Sequence, residues 1–348
     1  MSNAPHLQKD VKKYVENWIK EGLIDWDITR DISWGVPIPI EGLTDKVFYG
    51  WFDNHLAYIS STLKFLNEKK IDGKTFWNEA DIYHFIGKDI VYHHYLFLPA
   101  MRLGINNEFK LPDYIPTRGH LTLEGKKISK SRNWYIGLKD FLEKFPADYL
   151  RFYLVSINPY SQDDLNFDWE QFSTKINSEL IGNLGNLVNR ALGFTTKAFD
   201  GVVPEPESFD EKDSESEKKI KSLADDVGKL MQENHLDRAL KQLMEFSAHF
   251  NQYFQHKEPW KKGPGTNACI YLSVNAVRSI AICLHSFLPK SSQKIWSQLG
   301  LEGNVSDISW NEMSELKLKM GHKIGIVEPI FPKIELSDIE KEQSKLGT

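Results

Sequence analysis

The 348 residues are 41% hydrophobic and 26% charged, the composition of a soluble globular protein and more than one hydrophobic core usually fills, so two domains are expected. The formal net charge of −5 excludes a surface that is basic throughout and restricts any RNA contact to local, shape-specific patches. No apolar run approaches the roughly 20 residues that span a bilayer, and Met1 to Pro5 lack the apolar stretch of a signal peptide, which together point to a cytoplasmic chain without a membrane partner.

Ser2-Asn3-Ala4 reads as a cloning remnant and is set aside. Residues 8–22 place Val11, Tyr14, Val15, Trp18 and Ile19 at helical spacing, which predicts a first helix. Val47-Phe48-Tyr49-Gly50-Trp51-Phe52 and Ile82-Tyr83-His84-Phe85-Ile86 are short aromatic and β-branched runs, the second stopped by Gly87, and both predict strands followed by helices. That alternation favours parallel strands with crossover helices, whose ligands bind beyond the carboxyl ends of the strands. Trp51, Asp53, Gly87 and Asp89 fall at such ends. From about residue 173 the strand signals stop and stripes of period 3.6 take over: Leu180, Ile181, Leu184, Leu187 and Val188; Ile220, Leu223, Val227 and Leu230; Leu236, Leu240, Leu243 and Met244. This half is predicted to be a helix bundle, interrupted by an exposed loop over Asp200 to Glu217. Gly321 to Leu336 reads as extended and leads into a charged tail. Cys269 and Cys283, in an apolar helical context, are expected to be buried free thiols.

Gly125-Lys126-Lys127-Ile128-Ser129-Lys130-Ser131-Arg132-Asn133 combines cations, hydroxyls and a glycine, as a loop closing on a polyphosphate requires. Taken alone, it reads first as a solvated lysine-rich turn. Its placement, after a strand-turn-helix pattern and before Phe145-Pro146-Ala147-Asp148-Tyr149-Leu150, makes it resemble the second signature of class I aminoacyl-tRNA synthetases, with Ile128 where Met is usual. Arg30 to Pro39, Tyr49 to Asp53 with Tyr58-Ile59-Ser60, and His84 to Asp89 with His94 and Pro99-Ala100-Met101 follow the order of methionyl-tRNA synthetase. The resemblance runs from about residue 10 to residue 335.

The resemblance implies an α/β plus all-α fold: residues 5–172 as the second half of a Rossmann-like nucleotide-binding domain, 173–320 as a helical anticodon-binding domain, and 321–348 as an extended segment folding back on the catalytic part. It implies activation of methionine with ATP and Mg²⁺ to methionyl-adenylate, then transfer to tRNA(Met). In that scheme Lys127 and Lys130 are catalytic, stabilising charge on the phosphates as pyrophosphate leaves. Gly87, Asp89, Lys127, Ser129 and Lys130 approach ATP, and Trp51, Tyr58 and His94 line the methionine pocket. Asn186, Arg190 and Trp260 match the readers of the CAU anticodon. Asn186 and Arg190, four residues apart, share a helix face, and Trp260 offers a plane on which a base stacks. Without the family, Trp51 and Tyr58 also read as core aromatics, His94 as a structural histidine, Asn186 as a bundle hydrogen bond and Trp260 as packing.

The family's first signature, His-x-Gly-His, and its zinc-bearing insertion are not found in the sequence. The expectation is an inactive fragment or one product of a split gene, partnered by a separate chain that carries that signature, with no metal ligands of its own. Asn54-His55 stands where Ala-Pro is usual and Arg118-Gly119-His120 where His-Gly-Tyr is usual, which leaves open a non-catalytic tRNA-binding module or a paralogue of altered specificity.

Overall fold

The computed structural model describes residues 7–105, 108–206 and 208–347, so Ser2-Asn3-Ala4 lies outside the described residues. Two compact units emerge, Met1–His120 with Ser161–Asp163 and Leu121–Tyr160 with Asp164–Thr348. This division by packing falls earlier in the chain than the 172/173 boundary, which marks where the helical periodicity begins.

The first unit contains α1 (Lys9–Glu21), β1 (Thr29–Arg30), β2 (Val47–Phe48), α2 (Gly50–Glu68), α3 (Gly73–Glu79), β3 (Ile86–Gly87), α4 (Leu98–Gly104) and β4 (Thr117–Arg118). Helix α1 buries Val11 and Val15, whereas Tyr14, Trp18 and Ile19 of the same stripe stay exposed. Both expected strands are shorter than their apolar runs. Only Val47–Phe48 is strand, paired antiparallel with β1, because residues 31–46 hold no helix to carry a parallel crossover. Helix α2 begins at Gly50, so Trp51 and Asp53 occupy its first turn and not a strand end; a carboxylate suits the unpaired amides there. β3 keeps only Ile86–Gly87, but it pairs in parallel with β4 as the alternation predicts, and Tyr83 bridges in parallel to Tyr114. Between β3 and α4 the chain makes a 3₁₀ turn at Lys88–Ile90 and a π-helical turn at His93–Phe97. The small core gathers Val11, Val15, Ile86, Val91 and Tyr95.

The second unit contains β5 (Leu121–Leu123), β6 (Lys126–Lys127), α5 (Leu138–Lys144), α6 (Ala147–Ser156), β7 (Leu165–Phe167), α7 (Trp169–Lys175), α8 (Asn186–Phe199), α9 (Glu211–Gln232), α10 (Leu236–Lys257), α11 (Thr266–His285), α12 (Pro289–Gln298) and α13 (Leu336–Gln343). β5 pairs antiparallel with β6 and parallel with β7. One continuous core runs from Leu123 and Phe141 through the bundle to Ile339. Leu180 and Leu184 face it from a π-helical stretch, Ile176–Gly185, that joins α7 to α8.

Three expectations need correction here. The loop after α8 ends at Asp210, because Asp210 and Asp213 form a reciprocal capping box that starts α9 at Glu211. The acidic, serine-rich run 211–217 is therefore the opening of a helix. Second, α11 is by length and composition apolar enough to cross a membrane, but 89% of that stretch is buried inside the unit. It is the central helix, apolar on all sides for that reason. Cys269 and Cys283 both lie on it as buried free thiols, and burial pushes the Cys269 thiol up to about 12. Third, the charged tail is not extended but forms α13. Residues 315–335 do run without helix or strand, apart from a bridge between Val202 and Lys323. They and α13 pack on the earlier part of the same unit: Tyr149 Oη donates to Pro332 O (2.5 Å), Asn177 exchanges two bonds with Ile334, and Lys144 pairs with Glu342 of α13.

Candidate functional site

In the first unit the three residues expected at the methionine pocket, Trp51, Tyr58 and His94, belong to one set of touching rings. Trp51 stacks on His93 (centroids 5.0 Å) and Tyr58 lies 4.3 Å from His84. His94 is buried with Nδ1 3.1 Å from Ile90 O and Nε2 3.4 Å from Tyr58 Oη. The carbonyl lies four residues back, in the 3₁₀ turn that precedes the π-helical turn. His55, from the Asn54-His55 departure, packs 5.2 Å from His94 and 5.7 Å from His93. Burial holds all four imidazoles toward the neutral form, His55 and His84 at about 4. Trp51 and Tyr58 keep about two-fifths of their surface exposed, which leaves them accessible to a small molecule.

Close enough for its charge to bear on His55 and His84 lies Arg102 of α4, 1% exposed, with none of Nε, Nη1 or Nη2 hydrogen-bonded among the described residues. Its guanidinium sits 5.9 Å from the Trp77 ring. A cation–π contact of about 0.5 to 2 kcal/mol does not offset the several kcal/mol that an unpaired buried ion costs.

Gly87 ends β3 and Asp89 follows in the 3₁₀ turn. A Cβ on Gly87 would stand 2.5 Å from Asp89 Oδ1, so glycine lets the carboxylate fold back over the strand end. That carboxylate meets His120 Nε2 at 3.3 Å, which puts the Arg118-Gly119-His120 departure in contact with an expected ATP residue.

In the second unit Glu124 and Gly125, both at positive φ, make the two-residue turn between β5 and β6. Lys126 and Lys127 leave it exposed, and Lys126 Nζ lies 4.2 Å from the Trp134 ring centre. Ser129 and Trp134 exchange backbone bonds of 2.8 and 2.9 Å, closing the loop over the turn Lys130–Arg132, with Ser129 Oγ 3.2 Å from Ser131 Oγ. Among the described residues neither Lys127 nor Lys130 pairs with a carboxylate. Asn133, left-handed, anchors the loop base to the chain end: its Nδ2 donates to Lys345 O (3.1 Å) and its carbonyl accepts from Gly347 N (2.9 Å).

Asn186 and Arg190 share a face of α8, and both reach Asn251 of α10: Asn186 Nδ2 donates to its Oδ1 (3.0 Å), and Arg190 Nη1 donates to its carbonyl (3.5 Å) while Nη2 donates to Gln255 Oε1 (2.8 Å). The Arg190 guanidinium covers the Phe254 ring at 5.2 Å. Trp260, in a 3₁₀ turn that follows left-handed Glu258, is 43% exposed and tilts against Phe254 at 6.5 Å. Arg190, Phe254, Trp260 and Lys323 line one cavity of about 820 Å³; Asn186 lines a neighbouring one of about 360 Å³, and Asn189 borders both. Asn251, Phe254 and Gln255 were not singled out in the sequence, although polar residues at i and i+4 beside the apolar stripe of α10 are a visible signal. Among the described residues no group of three His, Cys, Asp or Glu side chains could hold a metal.

A family profile described as tRNA synthetases class I (M) matches residues 1–192, and one described as the anticodon binding domain of methionyl tRNA ligase matches residues 203–348. The methionine–tRNA ligase of Methanopyrus kandleri is 42% identical over 99% of this chain and 51% of its own length. That of Pyrococcus horikoshii is 39% identical over 96% of this chain and 48% of its own. The chain thus spans about half the length of these curated relatives. Among solved structures, Mycobacterium tuberculosis methionyl-tRNA synthetase bound by methionyl-adenylate superposes with a TM-score of 0.82 at 25% identity, covering 94% of this chain and 64% of that one. An α/β first unit, a second unit that joins an exposed lysine hairpin to a helical bundle with a cavity lined by Arg190 and Trp260, and these matches lead to one assignment: the chain belongs to the methionine–tRNA ligase family of class I aminoacyl-tRNA synthetases.

Proposed function

We propose that the chain is the part of a cytoplasmic methionine–tRNA ligase that supplies the pyrophosphate-handling loop and the anticodon reader, acting on methionine, ATP with Mg²⁺, and tRNA(Met). The observation that carries this is the opening of Arg190 and Trp260 onto one cavity, a guanidinium and an exposed indole placed to take an unstacked base. In the same unit Lys127 and Lys130 stand exposed and without carboxylate partners among the described residues, as charge stabilisation on a leaving pyrophosphate requires. Trp51, Tyr58 and His94 would hold the methionine side chain against soft, weakly polar rings, and Gly87 with Asp89 would hold the nucleotide, the carboxylate accepting ribose hydroxyls. The His-x-Gly-His string does not occur in these 348 residues, which span about half the length of the curated relatives, so the ligase reaction would draw on a further portion bearing that signature, on the same polypeptide or on a separate chain.

Methionine-dependent ATP/pyrophosphate exchange tests this, measured on the chain alone and after mixing with the partner half of a relative. Restored exchange on mixing is expected; exchange by these 348 residues alone would overturn the need for a further portion. A second possibility, a tRNA-binding module without chemistry, draws on the contact between His120 and Asp89, which occupies the carboxylate assigned to the ribose. It predicts tRNA(Met) binding with no exchange under either condition.

A further inference from the structure

We propose that the first unit holds a buried site for a small monovalent anion, a halide or a carboxylate, between Arg102 of α4 and the imidazoles of His55 and His84. Arg102 is 1% exposed, His55 2% and His84 8%, and the three guanidinium nitrogens, His55 Nε2 and His84 Nδ1 are all buried without a hydrogen-bond partner among the described residues. The groups are neighbours: the charge of Arg102 bears on both imidazoles, and each imidazole packs against His94, at 5.2 and 5.5 Å. A guanidinium cannot shed its charge when buried as a lysine can, so its counterpart must come from outside the described contacts. Asp53 also has a buried, unpartnered carboxylate oxygen, but it forms no ion pair with Arg102.

The complementary ligand is an acceptor, because the guanidinium carries five N–H donors on three buried nitrogens without a partner among the described residues, and each imidazole nitrogen can carry a proton. It is an anion of single charge, because Arg102 contributes one positive charge and burial favours neutral imidazoles beside it. The Trp77 ring covers one side of the guanidinium, which leaves the edge of its plane for the ligand, the direction in which a carboxylate is taken by two parallel bonds. No step of the proposed ligase chemistry uses Arg102 or His55, so this site stands or falls separately from that function.

The test uses the full chain. Thermal unfolding is followed against sodium bromide or sodium formate, with sodium gluconate, too large to enter, holding ionic strength constant. A saturable rise in midpoint with bromide and formate is expected, and Arg102→Leu should weaken the apparent affinity at least tenfold. Crystals soaked in bromide should show an anomalous peak in the guanidinium plane. Equal salt responses in parent and variant overturn the proposal, as do bromide at the surface only, or a water or the Asp53 carboxylate against Arg102. Should Arg102→Leu fail to fold, the diffraction result on the parent chain decides.

Discussion

Burial holds His55 and His84 at about 4, against an ordinary imidazole value near 6.5. Both are neutral when folded, so an unfolded chain binds more protons than the folded one once the pH drops below 6.5. Stability from their neutrality is complete above that pH and falls progressively as the pH falls toward 4, by on the order of 2 kcal/mol per histidine. Urea unfolding in gluconate buffer should show this loss between pH 7 and 4.5, and His55→Leu should flatten it. In the bundle, Trp260→Ala should weaken tRNA(Met) binding by about 1 to 3 kcal/mol, the worth of one base stack, with little change in melting temperature because the indole is half exposed. An unaltered affinity in filter binding would mean that the indole only packs on Phe254. That Asn186 and Arg190 share a helix face, and that Trp260 follows the end of another helix, was legible because such spacing is visible in one dimension; their role as anticodon readers rests on the family resemblance. Asn251 and Gln255 were not legible, since they meet Arg190 from α10, more than sixty positions away. Nor was Arg102, because no single residue type announces that a charge will be buried.

Among elements, α9 shows how local chemistry overrides composition. The run 211–217 has the polarity of a loop, yet the Asp210–Asp213 capping box starts a helix there, and Lys257 reaches both carboxylates at 2.7 Å. Lys257, first, and the amide of Asp213 hold the Asp210 carboxyl at about 2. A carboxyl depressed on folding stabilises above its unfolded value, near 3.9, and that contribution disappears as the pH falls toward 2. The side chain is more than half exposed, so solvent screens much of it. Asp210→Ala should lower the stability of the second unit by about 1 kcal/mol at pH 7, measured by denaturant melts, with less effect at pH 2. The strands were over-read for a related reason: aromatic runs such as Val47 to Phe52 serve β-strands and buried helical turns equally well, and the helix of α2 claims the run from Gly50 onward. The bundle stripes were legible because three or more turns of period 3.6 have no comparable competitor.

At the level of the molecule, the two compact units are unequally furnished. Among the described residues the first joins five buried apolar residues in one cluster, with Ile59, Leu66, Trp77 and Leu98 buried apart from it, whereas the second carries a continuous core from Leu123 to Ile339. Burial of apolar surface sets most of the folding free energy, so the first unit should open first; hydrogen exchange should show α1 and α4 unprotected under conditions where α10 and α11 remain protected. The division at residue 120 could not be read from periodicity, which records element type and not which elements pack together. One further consequence follows from Asn133, held by Lys345 and Gly347 at the base of the lysine loop. Coupling between two places on a protein is reciprocal: a ligand that stiffens Lys127 to Lys130 must also tighten the hold on the last residues. The rate at which a carboxypeptidase trims the chain past Lys345 should therefore slow when pyrophosphate is added, and removal of residues 344–348 should speed exchange at the amides of Ser129 and Trp134. The turn over residues 344–347 thus becomes a remote gauge of order in the most chemically loaded loop of the unit.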